Sequence, residues 1–464
     1  MSDKPVENKT AVSRRPLAKR LVSGASWALL SKLLTYPAGL VLTVLLVRLL
    51  TPEAMGGYFL ATSLVAFAVA VVQLGMGRAL VKLIAKALAK SSHQTVRQVV
   101  CVGISSVLVF SLFVGLSLVT VFGDALLATL DGGDYLHASL RWISLLIISM
   151  ALVELFAEIL RGFHDLRGTS LLVDQLLQRI ILVTVLLIFY FSGVQLALHD
   201  VLKYSFLSAS FAAICGIFLV RSNLAVLGDG GEKIPLQVIY KLGPPFLVLR
   251  VNFWLLNMAG IWILGMFRPL EEVALYGAAN MISSLVLAPQ TVMNGVCAPV
   301  IVELFHKRRM KQLNNIIRAA GFFAVIPAML LTLLLVLSGE DVLFWIYGNE
   351  YRQAASVMTI LVIGRCIAVS CGVPATTLSM TDHQNTVMKV MTLLSLLTLL
   401  SYFLFAEQAG ALGIALVTAI SIAMQNLVMV FLVKKHLGML TFPALSPAIW
   451  QGFVQQLLKR KPAA

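Results

Sequence analysis

Residues 99–122 read VVCVGISSVLVFSLFVGLSLVTVF, a run that contains no charged side chain. At about 1.5 Å per residue, a helix of roughly 20 apolar residues crosses the hydrocarbon core of a bilayer. The rest of the 464-residue chain is similar, since 59% of it is hydrophobic, 12% is charged and the mean hydropathy is +0.92. This composition excludes a soluble globular enzyme, a disordered chain and a disulfide scaffold, and it predicts an integral membrane protein.

Twelve stretches of the chain are long and apolar enough to be spanning helices. They lie at 22–49, 58–77, 99–122, 140–160, 172–192, 201–220, 242–266, 273–301, 317–338, 354–378, 388–405 and 410–433. Basic residues test this arrangement because cytoplasmic loops carry an excess of Lys and Arg. With the N-terminus inside, 27 basic residues fall in the inside segments and 5 in the outside segments. We therefore expect twelve spans with both termini in the cytoplasm.

The two halves of the chain resemble each other at an offset near 217 residues. The segment Leu50-Thr-Pro-Glu-Ala-Met-Gly-Gly-Tyr58 follows span one, and Phe267-Arg-Pro-Leu-Glu-Glu-Val-Ala-Leu-Tyr276 follows span seven. Each half has six spans, an even number, so the two halves insert in the same direction. This predicts a parallel repeat with a pseudo-twofold axis along the membrane normal. The fold class is thus an all-α integral membrane protein with two six-helix lobes around a central cavity.

The repeat also predicts the domain boundaries. They are a cytoplasmic N-terminal tail (1–21), an N-lobe (22–222), a cytoplasmic linker (223–240), a C-lobe (241–436) and a cytoplasmic tail (437–464). In the last segment, Trp450, Phe453 and Leu457 recur at helical spacing before a basic cluster. This pattern is typical of an interfacial helix, and a disordered tail is the alternative.

Ionisable residues inside spans are functional candidates because burying a charge in lipid costs several kcal/mol. The spans contain Lys32, Glu154, Glu158, Asp174, Arg179, Arg250 and Arg365. Lys32 and Arg250 are 218 residues apart, so the repeat superposes them near the midplane, about ten residues from the cytoplasmic ends of their helices. Two such cations would bind a phosphate or diphosphate between them. The alternative is that each side chain snorkels to the interface.

The other intramembrane charges allow two interpretations. Arg179 and Arg365 add positive charge, and Arg179 can instead form a structural salt bridge with Glu154 or Glu158 of span four. Glu154 and Glu158 are four residues apart and share one helix face. Together with Asp174, they are alternatively candidates for a site that couples transport to a proton or sodium ion.

Several familiar motifs are absent from the sequence. It contains no phosphate-binding Gly-x-x-x-x-Gly-Lys-Ser/Thr, no His-Glu-x-x-His and no Cys-x-x-Cys. The net charge of +15 is concentrated in the predicted cytoplasmic segments, where it indicates membrane orientation rather than nucleic-acid binding. We therefore expect no metal, no cofactor, no nucleic-acid partner and no enzymatic activity.

Four short segments resemble a known family. They are Gly24-Ala-Ser-Trp27, Arg48-Leu-Leu-Thr-Pro-Glu-Ala-Met-Gly-Gly-Tyr58, Leu74-Gly-Met-Gly-Arg-Ala-Leu-Val81 and Tyr276-Gly-Ala-Ala-Asn280. These segments are similar to those of the polysaccharide-repeat flippases, the Wzx-type O-antigen and exopolysaccharide transporters. That family belongs to the multidrug/oligosaccharidyl-lipid/polysaccharide exporter superfamily.

The resemblance implies two lobes that form a V around a cationic cavity and work by alternating access. It implies a lipid-linked oligosaccharide substrate, turned from the inner to the outer leaflet of a bacterial inner membrane. The cavity cations would be Lys32 and Arg250, with Arg179 and Arg365 added. Membrane lipids, a polysaccharide polymerase and a chain-length regulator are the expected partners. The alternatives are a cation-coupled multidrug antiporter, in which the carboxylates bind drug cations, and a non-transporting membrane scaffold.

Overall fold

The computed structural model describes residues 34–120, 122–130, 136–228 and 230–443. Lys32, the N-terminal tail and the predicted interfacial helix around Trp450 lie outside these ranges. Every regular element within the ranges is a helix. The all-α prediction is therefore confirmed for the described part of the chain.

The first half of the chain, taken here as residues 34–228, forms helices α1 to α9. Their bounds are α1 (Leu34–Leu49), α2 (Pro52–Val72), α3 (Met76–Ala89), α4 (His93–Thr120), α5 (Phe122–Leu127), α6 (Leu140–Gly162), α7 (Leu166–Leu172), α8 (Leu176–Phe191) and α9 (Leu198–Ala225). Thr51 caps α2 by accepting a hydrogen bond from the backbone N–H of Ala54, and Pro52 fits the first helical turn.

The second half, residues 230–443, forms helices α10 to α19. Their bounds are α10 (Leu236–Lys241), α11 (Gly243–Asn257), α12 (Ala259–Phe267), α13 (Leu270–Ser284), α14 (Ala288–His306), α15 (Met310–Leu337), α16 (Gly339–Tyr347), α17 (Ala355–Ser370), α18 (Pro374–Met380) and α19 (Gln384–Leu437). Pro244 and Pro245 lie in the first turn of α11, where their missing N–H groups cost no helical hydrogen bond.

The described residues contain eight helices that are long and apolar enough to cross a membrane, or nine when the pair from Leu236 to Phe267 counts as one span bent by 51°. The apolar helices α1 and α8 are shorter. Helix α19 has 54 residues and changes direction at Gly410, whose φ of 53° and ψ of −137° are not helical. The chain is thus a multi-pass membrane protein, whereas the number twelve, the pseudo-twofold axis and the domain boundaries stay predictions.

The outer surface of the bundle is apolar. The large side chains of Phe113, Phe191, Leu337 and Trp345 are each more than two thirds exposed, and others along the same helices are about half exposed or more. On a water-soluble protein such a surface would drive aggregation, but in a bilayer it faces acyl chains. The arrangement explains why the long spanning helices lack a distinct apolar stripe, since both the interior and the exterior of the bundle are hydrophobic.

Two segments differ locally from the sequence prediction. The basic stretch expected as the loop 78–98 contains α3, which buries Leu80 and Ile84 and exposes its lysines. Span five was expected to run over 172–192, but it begins only at Leu176. Gln175 has a φ of +61°. It is the last residue of the short 3₁₀ turn that also contains Asp174, and it directly precedes α8.

Helix α2 contacts the second half of the chain at both of its ends. Near its start, a Cβ on Gly56 would lie 1.9 Å from the carbonyl oxygen of Leu270 in α13. Just beyond its end, a Cβ on Gly75 would lie 2.0 Å from the carbonyl oxygen of Gly243 in α11. Residues without side chains therefore allow the backbones of the two halves to touch, and a cavity lies between these two contacts.

Candidate functional site: a charged cavity between the two halves

A cavity of about 380 Å³ lies between the two halves, lined by side chains of α1, α2, α6, α8 and α9 on one side and of α11 to α13 on the other. Aromatic rings form part of its wall, at Tyr58, Phe59, Phe253 and Trp254. Its polar wall residues include Glu154, Gln178, Arg179, Ser205, Arg250 and Asn280. An apolar cavity with a few convergent polar groups has the character of a ligand site.

Arg250 joins the two halves through a hydrogen-bonded network. Its Nη2 donates to Oε2 of Glu154 in α6, and its Nη1 donates to Oε1 of Gln73 at 3.2 Å. Gln73, which lies between α2 and α3, also donates from Nε2 to the same Glu154 oxygen at 3.0 Å. The Arg250 and Glu154 side chains are 35% and 26% exposed, so the ion pair is reached from the cavity.

This network gives Glu154 a partner that the sequence pattern did not indicate. The sequence pattern favoured Arg179 of the neighbouring predicted span five, and the structure brings Arg250 from the other half to Glu154. No local pattern marks the contact, because the two residues are 96 positions apart. No sequence motif singles out Gln73, yet this residue connects both members of the pair.

Arg179 lines the cavity on the side of α1. Its Nη1 donates a long hydrogen bond of 3.5 Å to the carbonyl oxygen of Thr35 and lies 3.1 Å from the position of a Cβ on Gly39. A larger residue than glycine would displace the guanidinium. Arg179 and Arg250 therefore place two cationic side chains on opposite halves of one cavity.

The three coupling candidates lie in different environments. Glu154 lines the cavity. Glu158 accepts two hydrogen bonds from Arg161 on the next turn of α6, at 2.8 and 2.9 Å, and it is not among the cavity-lining residues. Asp174 lies in the break before α8 rather than in the regular helix of Arg179. Of the two glutamates, Glu154 lines the cavity and Glu158 does not.

Arg365 is buried behind the cavity wall, with 4% of the residue exposed. Its Nη1 donates to the carbonyl oxygen of Asn280 at 2.8 Å and to Oγ of Ser283, and its Nη2 donates to Oδ1 of Asn280 at 2.5 Å. Asn280 lines the cavity, and Arg365 does not. Arg365 therefore reaches this cavity through Asn280, and a direct contact of Arg365 with substrate stays a prediction.

Metal ligands do not cluster in the described ranges. No three His, Cys, Asp or Glu side chains there come together as a group that could hold a metal ion. The five cysteines, all of which lie within those ranges, are free thiols.

The sequence matches a family along most of its length. Residues 21–305 match the family described as "Polysaccharide biosynthesis protein". A curated relative, "Capsular polysaccharide biosynthesis protein CapF" of Staphylococcus aureus, is 26% identical over 167 residues. That alignment covers 36% of this chain and 39% of the relative, so the chain spans well under two thirds of the relative's length.

Solved structures share the fold at low sequence identity. One is titled "Inward-facing conformation of a multidrug resistance MATE family transporter of the MOP superfamily", with a TM-score of 0.69, 15% identity, and 89% of this chain and 98% of that chain covered. Another is "Lipid II flippase MurJ, inward closed conformation", with a TM-score of 0.64, 13% identity, and 95% and 91% covered. Together these matches confirm the resemblance seen in the sequence: the chain belongs to the polysaccharide biosynthesis protein family and has the fold of MOP-superfamily transporters.

Proposed function

We propose that the protein is a flippase that moves prenyl-diphosphate-linked oligosaccharide repeat units from the inner to the outer leaflet of a bacterial cytoplasmic membrane, for polysaccharide assembly. One observation carries the proposal. A cavity between the two halves of a polysaccharide biosynthesis protein contains arginines from both halves, Arg179 and Arg250. Paired cations in a partly apolar cavity suit an anionic headgroup attached to a sugar and a lipid tail.

The diphosphate is the group that these side chains would bind. A guanidinium makes two parallel hydrogen bonds to phosphate oxygens, and such charge-assisted bonds are about twice as strong as neutral ones. Lys32 is proposed as a further cation, on the argument that the repeat superposes it on Arg250. The cavity of about 380 Å³ is in the range of a small-molecule site, so it would hold the diphosphate and adjoining sugar while the prenyl chain stays in lipid.

Substrate binding would compete with the ion pair. Glu154 already occupies Arg250, and an arriving diphosphate would replace the carboxylate as the partner of the guanidinium. Because the ion pair joins α6 to α11, its opening would release one link between the halves and favour their relative movement. Glu154, no longer paired with Arg250, would then be the group that takes up a proton or a sodium ion, which is the coupling role we propose for it.

The membrane potential would assist the outward step. Moving one charge through the full membrane potential changes its free energy by about 2.3 kcal/mol per 100 mV. With the inside negative, moving two negative charges outward is therefore favourable by roughly 4–5 kcal/mol per 100 mV. The cytoplasmic location of both termini, and an association with a polysaccharide polymerase and a chain-length regulator, belong to the same proposal. They are supported by the distribution of basic residues and by the family match.

A multidrug antiporter is the alternative that shares this fold. A drug cation would need a carboxylate in the cavity that is available to bind it. The carboxylate of Glu154 is in contact with Arg250, and Arg179 adds a second positive charge to the lining of the same cavity. The cavity would therefore repel a cation more than it attracts one. This charge balance favours an anionic substrate.

Depletion and rescue in the native cell test the proposal. Loss of the protein should cause lipid-linked oligosaccharide to accumulate on the cytoplasmic leaflet, and wild-type protein should clear it. Arg250→Gln at matched expression should fail to do so, whereas Arg221→Gln, which changes an exposed arginine at the end of α9, should succeed. Unchanged precursor levels after depletion would contradict the proposal.

A further inference from the structure

The buried guanidinium of Arg365 has no acidic partner among the residues that the structure describes. Within the described ranges, no Asp or Glu oxygen lies within the 4.0 Å salt-bridge distance of its nitrogens. Its buried Nε has no hydrogen-bond partner in the described part of the chain. Its remaining contacts are to oxygens of Asn280 and Ser283, all from α13.

A buried cation is not needed to hold these two helices together, and it costs free energy. Burying a charge in the membrane interior costs several kcal/mol, and neutral side chains would join α17 to α13 without that cost. Nearby, the hydroxyls of Tyr276 and Tyr402 both meet Oγ1 of Thr418, at 3.1 and 2.9 Å, and so form a buried polar layer without a negative charge. A role beyond helix packing is therefore expected for Arg365.

The contact with Arg365 fixes the orientation of the Asn280 carboxamide. Oδ1 of Asn280 accepts the hydrogen bond from Nη2 of Arg365. Rotation of the amide by 180° would place its NH₂ group against the guanidinium, where two donors would face each other. Since Asn280 lines the cavity and its Nδ2 has no hydrogen-bond partner among the described residues, the amide presents its donor hydrogens to the cavity.

We propose that Arg365 is a positioning residue that holds the amide of Asn280 with its Nδ2 donor toward the cavity, where it binds a phosphate oxygen of the substrate. The inference rests on the proposed function, because it adds a third anion-binding group beside Arg179 and Arg250. Arg365 acts through Asn280 and does not touch the substrate. Its uncompensated charge also makes the cavity wall more attractive to an anion, since the surrounding dielectric is low.

Binding of farnesyl diphosphate to the purified full-length protein in nanodiscs tests this inference, with farnesol as the uncharged control ligand. Tryptophan fluorescence is a suitable signal because Trp254 lines the same cavity. Asn280→Ala removes the donor, and we expect it to weaken farnesyl diphosphate binding about tenfold, the usual loss for a hydrogen bond to a charged group. Arg365→Lys keeps the charge but cannot reach both Asn280 oxygens, so a loss of several-fold is expected.

Two further variants separate positioning from simple packing. Asn280→Asp keeps an acceptor for Arg365 and gives it an ion pair, so thermal stability should be retained or rise while farnesyl diphosphate binding falls. Ser283→Ala removes a contact of Arg365 that does not line the cavity, and binding should change less than about twofold. Farnesol binding should be the same in every variant.

The outcomes distinguish this inference from the function on which it rests. Equal binding of farnesyl diphosphate and farnesol by the wild-type protein would overturn the proposed function, and the positioning role with it. Wild-type selectivity that is retained in Asn280→Ala or in Arg365→Lys would overturn the positioning role alone.

Discussion

Arg250 and Glu154 form an ion pair that bridges the two halves of the chain at the wall of a shared cavity. The pair has two consequences. It links α11 to α6, and it occupies the guanidinium that an anionic substrate would need. Gln73 forms hydrogen bonds with both partners. If a substrate competes for Arg250, Glu154 therefore still accepts the hydrogen bond from Gln73.

Neutralising the two members of this pair should change anion binding in opposite directions. Glu154→Gln removes the competitor for Arg250, so farnesyl diphosphate binding should become several-fold tighter. Arg250→Gln removes the cation, and binding should weaken about tenfold or more. Titration of each purified variant measures both changes. A similar loss of affinity in both variants would mean that the pair serves packing and not competition.

Arg179 should contribute to anion binding through its charge. Arg179→Gln should weaken farnesyl diphosphate binding several-fold, and Arg179→Lys should retain part of the affinity, since the cation is kept while the forked geometry is lost. Arg48→Gln is the matched control, because Arg48 is exposed and donates to the hydroxyl of Tyr190 away from the cavity. Equal binding of the ligand by the two glutamine variants would contradict a role for Arg179 in anion binding.

The contact between α2 and α13 should depend on Gly56. A methyl group at this position would overlap the carbonyl oxygen of Leu270, so Gly56→Ala should destabilise the protein by about 1–3 kcal/mol and lower its unfolding temperature. Gly295→Ala is the control, since a Cβ there meets no atom within 4 Å. An equal unfolding temperature for the two variants would show that the halves do not approach as closely as described.

The orientation in the membrane can be tested at two similar loops. Gly193 and Gly230 both have positive φ, and at both positions an added Cβ would meet open space. Short peptide tags inserted there should be tolerated. In spheroplasts, whose cytoplasmic membrane is intact, added protease should cleave a tag at Gly193 and should not reach a tag at Gly230. The reverse result would invert the orientation inferred from the basic residues.

Composition and hydropathy were sufficient to predict the helical membrane fold, because each spanning helix must satisfy its own backbone hydrogen bonds in lipid. The local breaks were harder to predict. The bend of 51° between α11 and α12 falls at Met258, away from the two prolines, which lie in the first turn of α11. The break before α8 occurs at Gln175, a residue type that does not mark a left-handed backbone.

The candidate site was predicted in its residue types but not in its contacts. Arg250, Arg179 and Glu154 were recognised because charges are costly in lipid. The sequence could not indicate that Arg365 lies behind Asn280, since membrane helices are apolar on all faces and periodicity does not distinguish cavity from packing surface. The bond between Arg250 and Glu154 joins different halves, so only the tertiary structure reveals it.

Transport by the purified protein in proteoliposomes tests the central claim most directly. A fluorescent prenyl-diphosphate-linked oligosaccharide is placed in the inner leaflet, and its arrival outside is measured with a glycosidase that cannot cross the membrane. We predict that the wild-type protein exposes the glycan, that Arg250→Gln does so far more slowly, and that a cationic rhodamine dye is not moved. Transport of the dye without the glycan, or equal glycan transport by Arg250→Gln, would contradict the account.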